Sequence, residues 1–403
     1  MSAAYAELLR TEGPCVLLES TSGPGPRSRS SLLARRPRAT VVMGRGEGDP
    51  IERLRELLRE VPEGTWPLEG GIAGALAYDY ARPGRPAAPT PLLVALVVDR
   101  FEAMEAEDPL PAPPGPGRRL LDLPALSSLT RSAYLERVAR VQEHIARGDI
   151  YQANLSQRFR VEAPLDGLAL YGHLRRISPA PFAGYLRAGG IEIVSSSPER
   201  LLAVDGRRAS TRPIAGTRPR SGDPAADRAL AAELMLSEKE RAEHLMLVDL
   251  ARNDLGQVAE VGSVQVDELM VAEEYSHVRH IVSEVSARLA PGRDALDALR
   301  ALFPGGTITG VPKRRCMEIL DVLEPVPRGF YTGALFYLTR SGRLDANILI
   351  RSAVVQDGTV TFHAGGGIVA DSVPEREYEE TLHKAEALRL ALEETLAEAS
   401  RRP

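Results

Sequence analysis

The sequence has little of several features on which particular functions depend. Its 403 residues include two cysteines, Cys15 and Cys316, which are too few for a disulfide framework or a cysteine-rich metal site. No apolar run of about 18 residues occurs, so no membrane-spanning helix is predicted. The first residues lack a basic segment followed by an apolar one, so we expect no signal peptide and a cytoplasmic protein. The formal net charge of −5 gives no reason to expect nucleic acid or a membrane surface as a partner.

Lysine is scarce, and its positions are informative. Lysine and arginine together number 50, yet only Lys239, Lys313 and Lys384 are lysines. Arginine therefore serves almost everywhere that a generic positive charge suffices. The remaining lysines are candidates for positions that need a compact ammonium group, with chance survival as the alternative for any one of them.

The distribution of residues along the chain predicts three regions. Residues 1–105 carry strand-like runs and one helical stretch at 50–60, and residues 106–130 are rich in proline and glycine, as in a linker or long loop. From 131 to 398, apolar periodicity and capping signals predict helices that alternate with strands. We therefore expect an α+β fold in which large antiparallel sheets form a sandwich flanked by helices.

Local patterns in the third region predict its main elements. Helices are expected at 132–148, 223–252, 311–323 and 372–397, the last one beginning with a capping box at Ser372. Strands are expected at 330–339 and 348–355. The glycines at 365–367 are expected to form a tight turn.

Two pairs of glutamates have a spacing that suits metal binding. Glu240 and Glu243 lie three residues apart on one predicted helix, and Glu377 and Glu380 repeat that spacing on the last one. If the pairs meet across a cleft, their repulsion favours a hard cation, and Mg²⁺ suits a set of oxygen ligands. The alternative, which is commoner for such a spacing alone, is two solvated helix faces with partners such as Lys384 for Glu380.

Basic groups and glycines near these glutamates suit an anionic substrate. Arg351 follows an apolar run at 348–350, so its guanidinium is expected to emerge at a strand end. Lys384 lies one turn beyond Glu380. The glycines at 365–367 could bring backbone N–H groups close to a carboxylate. Each signal is weak alone, because a glycine triplet is most often only a turn.

Two further residues are open to two interpretations. His280 precedes an apolar run, and a single histidine is more often structural than catalytic. Glu199 follows a proline after a β-like stretch. It could be an acid with a raised pKa or simply a turn residue.

Six longer segments carry distinctive sequences, at 146–160, 212–220, 237–256, 275–283, 303–313 and 364–384. Examples are RPIAGTRPR, FPGGTITGVPK and AGGGIVADSVPEREYEETLHK. In the same order, these segments resemble the chorismate-utilising enzymes, which include the large subunits of anthranilate synthase and aminodeoxychorismate synthase. The resemblance spans most of residues 131–398, which it identifies as a chorismate-binding catalytic domain, and a fainter one covers residues 1–105.

The resemblance implies roles for the candidate residues. Glu243 and Glu380 would bind Mg²⁺ directly, and Glu240 and Glu377 would assist through water. The substrate's carboxylate and enolpyruvyl groups would be positioned by a second set, Tyr331, Arg351, Lys384 and the amides of Gly365 and Gly367. Glu199 and His280 would act as acids near the departing 4-hydroxyl, and Thr307 would line the same pocket.

Gln152 separates two branches of this family. Isochorismate and salicylate synthases resemble each other in having a lysine at this position, where it activates water. Because glutamine cannot take a proton at neutral pH, ammonia is the expected nucleophile. Neither cysteine lies in a nucleophile-turn context, so we expect ammonia from a separate glutaminase subunit.

The choice between the two ammonia-using branches rests on conflicting local sequences. Ala215 stands where many aminodeoxychorismate synthases have a lysine that attacks the ring, and anthranilate synthases have alanine there. FPGGTITGVPK, SPAPFAGYL and AGGGIV instead resemble the aminodeoxychorismate branch. The sequence therefore favours 4-amino-4-deoxychorismate, a precursor of folate, as the product. Anthranilate is the alternative, and a catalytically inactive binding paralogue is an alternative of another class.

Overall fold

Two antiparallel β-sheets packed face to face form the centre of the fold. The computed structural model describes residues 9–11, 13–21, 31–65, 69–82, 90–104, 120–219, 230, 233, 236–274 and 278–401. The strands within these ranges are β1 Cys15–Glu19, β2 Ser31–Arg35, β3 Ala39–Met43, β4 Gly71–Leu76, β5 Leu93–Val98, β6 Glu102–Met104, β7 Gln152–Glu162, β8 Phe182–Ala188, β9 Ile191–Ser197, β10 Arg200–Asp205, β11 Arg208–Thr211, β12 Ile214–Pro219, β13 Gln265–Glu274, β14 Val278–Arg288, β15 Gly310–Val311, β16 Ala334–Thr339, β17 Leu344–Asn347, β18 Ser352–Gln356 and β19 Thr359–Ile368.

Each sheet mixes strands from both ends of the chain. The first sheet has the order β15-β7-β19-β18-β9-β8-β1-β2-β6, and the second has β12-β14-β11-β10-β17-β16-β4-β5-β3 with β13 paired to β14. The six described strands before residue 105 thus extend sheets that the later region also builds. The expected boundary near residue 105 does not coincide with a boundary between sheets.

Eight α-helices flank the sheets within the described residues. They are α1 Pro50–Glu60, α2 Leu123–Leu126, α3 Arg131–Ala146, α4 Gly167–Ile177, α5 Glu238–Gly256, α6 Ala295–Leu302, α7 Lys313–Leu323 and α8 Pro374–Ala399. Short 3₁₀ turns lie at Tyr78–Ala81 and Gly306–Ile308. Apolar side chains of α4 and α8 pack on the first sheet, and those of α1, α5 and α6 pack on the second.

A third apolar cluster lies between the sheets and joins them. It brings Val16 and Leu18 of the first sheet against Val94 and Leu96 of the second, all almost fully buried. Burying these side chains removes apolar surface from water, which is the main favourable contribution to folding. The expected sandwich of antiparallel sheets flanked by helices is confirmed.

Local capping explains where several helices begin. Helix α1 starts as predicted, because Asp49 accepts a hydrogen bond from the Ile51 amide and Pro50 occupies the first turn. Helix α3 begins at Arg131, one residue before the predicted start, and is capped by Thr130. Helix α7 starts at Lys313, since the preceding Gly310–Val311 pairs with β7.

Two helix starts differ from the predictions. The capping box at Ser372 is wrong, because Ser372 Oγ accepts from the Val369 amide and α8 begins after Val373 without a side-chain cap. The predicted start at 223 lies outside the described residues. Helix α5 begins at Glu238, where Ser237 accepts from the Glu240 amide.

Two strand-level predictions are also wrong, and both bear on the site. The glycines at 365–367 form no turn, because they lie inside β19 and pair with β7. Residues 348–351 are not in a strand, because they carry the chain from β17 in the second sheet to β18 in the first. The strand expected at 330–339 begins later, at Ala334.

Candidate active site

Two crossings of the chain between the sheets meet and define the site. Residues 198–199 connect β9 to β10, and residues 348–351 connect β17 to β18. The crossings are joined by hydrogen bonds from the Ile348 amide to the Glu199 carbonyl (3.0 Å) and from the Ser196 amide to the Arg351 carbonyl (3.1 Å). Arg351 adopts a positive φ of 50° at this crossing. Glu199 and Arg351, far apart in sequence, therefore share one cleft.

Glu199 has the properties of a proton donor. Its side chain is buried, and its Oε1 accepts a hydrogen bond of 2.7 Å from Thr307 Oγ1. Burial raises the pKa of Glu199 to about 7, although the Thr307 bond and the charges of Arg351 and Lys384 act in the opposite direction. A carboxyl with a pKa in this range holds its proton for a substantial part of the time at neutral pH and can deliver it to a leaving group.

His280 lies on β14 in the same cleft and is electrically neutral. Its Nδ1 donates to the Gly216 carbonyl at 3.4 Å. Burial, reinforced by the charge of Arg351, lowers the pKa of His280 to about 4. The imidazole is therefore uncharged at neutral pH, and Glu199 is the better acid of the two.

Three of the four predicted metal-binding glutamates lie against consecutive glycines of β19. A Cβ atom on Gly366 would be 3.2 Å from Glu377 Oε2 and 3.5 Å from Glu380 Oε1, and one on Gly367 would be 3.5 Å from Glu243 Oε1. The absence of side chains at these glycines is what lets the carboxylates from α5 and α8 approach the same strand. Glu240 lies in the first turn of α5, one turn before Glu243.

Neighbouring donors bind these carboxylates in the structure. Gln152 Nε2 donates to Glu243 Oε1 at 2.7 Å. Lys384 Nζ lies 2.6 Å from Glu380 Oε1 and also donates to the Gly365 carbonyl at 2.9 Å. Among the described residues, no three acidic, histidine or cysteine side chains are close enough to form a metal-binding group. The glutamates suit Mg²⁺ chemically, because this ion prefers oxygen ligands and the carboxylate oxygens lie beside the glycines of β19. In the structure these carboxylates do not by themselves form a complete set of metal ligands.

A buried ion pair between Glu324 and Arg328, which the sequence interpretation missed, lies beside Tyr331. Arg328 is fully buried and lies 2.7 Å from Glu324 Oε1. It also donates to the Ile308 carbonyl (2.9 Å) and the Asn154 carbonyl (2.6 Å), and its guanidinium lies 5.6 Å from the ring centroid of Tyr331. The sequence shows opposite charges at Glu324 and Arg328, but it does not reveal that both side chains are buried.

A second missed residue anchors the helix that carries Glu243. His244 is completely buried, and its Nε2 lies 2.6 Å from Ser283 Oγ on β14. The contact fixes α5 against the strand that also carries His280. In sequence, His244 has no feature that distinguishes it from an ordinary core residue.

The fold and site define an enzyme with an acidic, glycine-lined cleft between two sheets, beside a buried acid and cationic side chains. A family model described as chorismate binding enzyme matches residues 13–389. The chain belongs to this family, as the sequence resemblance predicted, and it is a chorismate-utilising enzyme.

Relatives match over nearly the whole chain. Anthranilate synthase component 1 of Streptomyces coelicolor is 42% identical over 98% of this chain and 87% of its own length. The protein of the same name from Thermus thermophilus is 41% identical, covering 98% and 95%. The crystal structure of anthranilate synthase component I from Streptococcus pneumoniae gives a TM-score of 0.78 at 30% identity, over 91% of this chain and 93% of that one.

The menaquinone-specific isochorismate synthase of Escherichia coli shares the fold, with a TM-score of 0.75 at 20% identity over 97% of this chain and 91% of that one. This similarity concerns architecture alone.

Within the described part of the chain, no helix has the length and apolarity needed to cross a bilayer.

Proposed function

We propose that the chain is the chorismate-converting component of an anthranilate synthase, which forms anthranilate and pyruvate from chorismate and ammonia. The observation that carries this proposal is the identity of 41–42% to two proteins named anthranilate synthase component 1, in each case over 98% of this chain. This identity favours anthranilate, the alternative product of the sequence analysis, over 4-amino-4-deoxychorismate, which the sequence analysis preferred.

The residues of the cleft fit the chemistry of this reaction. Glu243 and Glu380 would hold Mg²⁺, assisted through water by Glu240 and Glu377. When bound, the metal would withdraw electrons from the ring through the substrate's carboxylate. Arg351, Tyr331, Lys384 and the amides of Gly365 and Gly367 would orient the substrate. A shared role for Lys384 and Gly365 is supported by their hydrogen bond, which Lys384 Nζ donates to the Gly365 carbonyl.

Glu199 would supply the proton that the departing 4-hydroxyl needs to leave as water. Its hydrogen bond with Thr307 directs the carboxyl, and its raised pKa keeps the proton available near neutrality. Attack of ammonia at ring carbon 2 would accompany this loss. Release of the enolpyruvyl group as pyruvate, with loss of the proton at carbon 2, would then give the aromatic product.

Ammonia as the nucleophile is supported by the surroundings of Gln152. Its amide is bound to Glu243 and offers no base to activate water. The two cysteines are buried, and burial raises the pKa of Cys316 to about 12, so this thiol is no candidate for glutamine hydrolysis. A glutaminase partner would therefore deliver ammonia, and added ammonium should replace it.

A second candidate is aminodeoxychorismate synthase. The observation in its favour is the FPGGTITGVPK segment, whose Thr307 contacts Glu199 and so lies in the cleft. Against it stands Ala215, a buried residue of β12 opposite Ile281, which offers no amine for a covalent ring adduct. The carbon-4 route would then need direct attack by ammonia.

Product analysis distinguishes the candidates. The purified chain is incubated with chorismate, Mg²⁺ and ammonium at alkaline pH, and the products are separated by chromatography. We expect fluorescent anthranilate without any added lyase. A product that becomes 4-aminobenzoate only after a lyase is added would refute anthranilate synthase and support the second candidate. A folded chain that yields no product would support the inactive paralogue.

A further inference from the structure

A second cavity lies behind the candidate active site, on the inner face of the first sheet. Its volume is about 360 Å³, and strands β7, β18 and β19 and the loop 327–331 supply most of its lining. Residues of alternating positions along β19, from Thr359 through Thr361 to His363, face it. Gly365 continues this row at the candidate active site, so the two spaces are neighbours on one strand.

Tyr331 and His363 form the floor that divides the two spaces. Their rings are stacked, with centroids 4.9 Å apart and planes inclined by 8°. Tyr331 is one of the residues expected to contact substrate. A molecule in the cavity would therefore touch the reverse side of an active-site wall.

Two arginines of β7 bring positive charge into the cavity, whose lining also includes the carboxylate of Asp357 at the mouth. Arg158 and Arg160 point from the same face of β7 into it, and Arg158 forms no ion pair in the described part of the chain. Arg160 pairs with the exposed Glu162, at 3.2 Å. Burial and the charge of Arg160 lower the pKa of Arg158. An anion would relieve this repulsion.

His363 adds a hydrogen-bond acceptor at the floor. It is 8% exposed, and its Nε2 is buried without a hydrogen-bond partner. The ring bonds to the Pro327 carbonyl, which assigns the proton to Nδ1. Burial lowers the pKa of His363 to about 3, so at neutral pH Nε2 carries a lone pair that needs a donor. A buried group of this kind stays unsatisfied unless a ligand or water supplies one.

The remaining walls are apolar. Ile193, Leu349 and Val354 line the cavity together with the ring of Tyr331. The volume falls within the range of small-molecule pockets, which combine apolar walls with a few polar anchors. The mouth, beside Asp357 and Arg160, is open to solvent.

From this arrangement we infer that the cavity is an ancillary binding site for a small aromatic carboxylate that also bears an N–H or O–H donor. Its carboxylate would pair with Arg158, its donor would satisfy Nε2 of His363, and its ring would lie against the apolar wall. The inference rests on the cavity alone and is independent of which amination product the active site makes.

Equilibrium dialysis with 2-aminobenzoate tests this inference, because the probe has both groups and is fluorescent. The same probe can bind in the active site, so the Arg351→Gln variant is used to isolate the cavity. We expect the parent to bind two molecules and Arg351→Gln to retain one. Adding Arg158→Gln should weaken the retained site by roughly tenfold or more, as expected for losing a charged hydrogen bond.

Matched variants and probes make the assignment specific. Arg140→Gln, which changes an exposed arginine on α3, should leave both sites intact. In Arg351→Gln, benzoate should bind more weakly than 2-aminobenzoate, because it has no donor for His363. That difference should vanish in His363→Phe, which keeps an aromatic ring against Tyr331.

Two results would overturn the inference. One is a single binding site in the parent that Arg351→Gln abolishes while the protein remains folded by circular dichroism. The other is an Arg158→Gln isotherm that matches the parent's. If Arg351→Gln does not fold, Arg158→Gln is made in the parent background, where weakening of one of the two sites by roughly tenfold or more supports the inference and two unchanged sites overturn it.

Discussion

Replacing Glu199 by glutamine should change the pH dependence of stability in a specific direction. Glutamine has the shape of the protonated carboxyl and keeps an oxygen that can accept from Thr307 Oγ1, but it cannot ionise. The pKa of Glu199 is raised from 4.5 to about 7, chiefly by burial. Ionising this side chain in the folded protein is therefore costly, whereas in the unfolded chain it is not.

The magnitude follows from the two pKa values. Below pH 4.5 the carboxyl is protonated in both the folded and the unfolded state. The difference in stability between the parent and Glu199→Gln should therefore not change with pH in this range. Between 4.5 and 7 the folded state holds a proton that the unfolded state has lost, and the parent's free energy of unfolding falls as pH rises. Above pH 7 the full penalty of about 3 kcal/mol should be present.

Urea unfolding of both proteins at pH 5 and pH 8 measures this penalty. Glu199→Gln should gain about 2.5 kcal/mol on the parent between the two pH values, most of it below pH 7, because part of the penalty is already present at pH 5. Thr307→Val serves as a control, because it removes the hydroxyl that partly offsets the effect of burial and should raise the pKa of Glu199 further. Equal pH dependence in parent and Glu199→Gln would refute the assignment of a raised pKa. The same carboxyl would then be no acid at neutral pH.

Three further predictions concern the metal, the nucleophile and the buried ion pair. Mg²⁺ at a hundredfold excess over its dissociation constant should raise stability by about 2.7 kcal/mol in a melting scan, and Glu243→Gln should abolish the shift; no shift in either protein would exclude a metal site. Gln152→Lys places a base where water can be activated, so we expect loss of the ammonia-dependent product; undiminished turnover would show that Gln152 is not at the nucleophile position. Arg328→Met leaves the Glu324 carboxylate buried without the opposite charge of Arg328 and should cost about 3–5 kcal/mol in urea unfolding. The loss should be smaller when Glu324→Gln is added, and additive losses would contradict the pairing.

The sequence predicted correctly those elements whose signals lie within a few residues of one another. Helix α1 was found at its predicted bounds because its signals, Asp49 at the cap and Pro50 in the first turn, act within a few residues. The spacing of Glu377 and Glu380 likewise placed both carboxylates on one helix. Family resemblance named the candidate residues, and the structure brings Glu199, Thr307, Arg351 and others of them into one cleft.

The failures share a physical cause. The glycines at 365–367 were expected to turn the chain, but they pair with β7, because strand pairing depends on a partner about 210 residues away in sequence and not on local propensity. The segment 348–351 is apolar like a strand. Its role as a crossing between the sheets depends on where β17 and β18 lie.

What the sequence alone determined is the set of chemical groups, their spacing on individual helices, and the family to which they belong. What only the tertiary structure decided is which groups meet and what their surroundings do to them. The Thr307–Glu199 bond joins residues 108 apart, and the Gln152–Glu243 bond joins residues 91 apart. The pKa of Glu199, the burial of Arg328 and the cavity beside His363 all depend on such contacts, because desolvation is a property of the packed surroundings and has no signal in the local sequence.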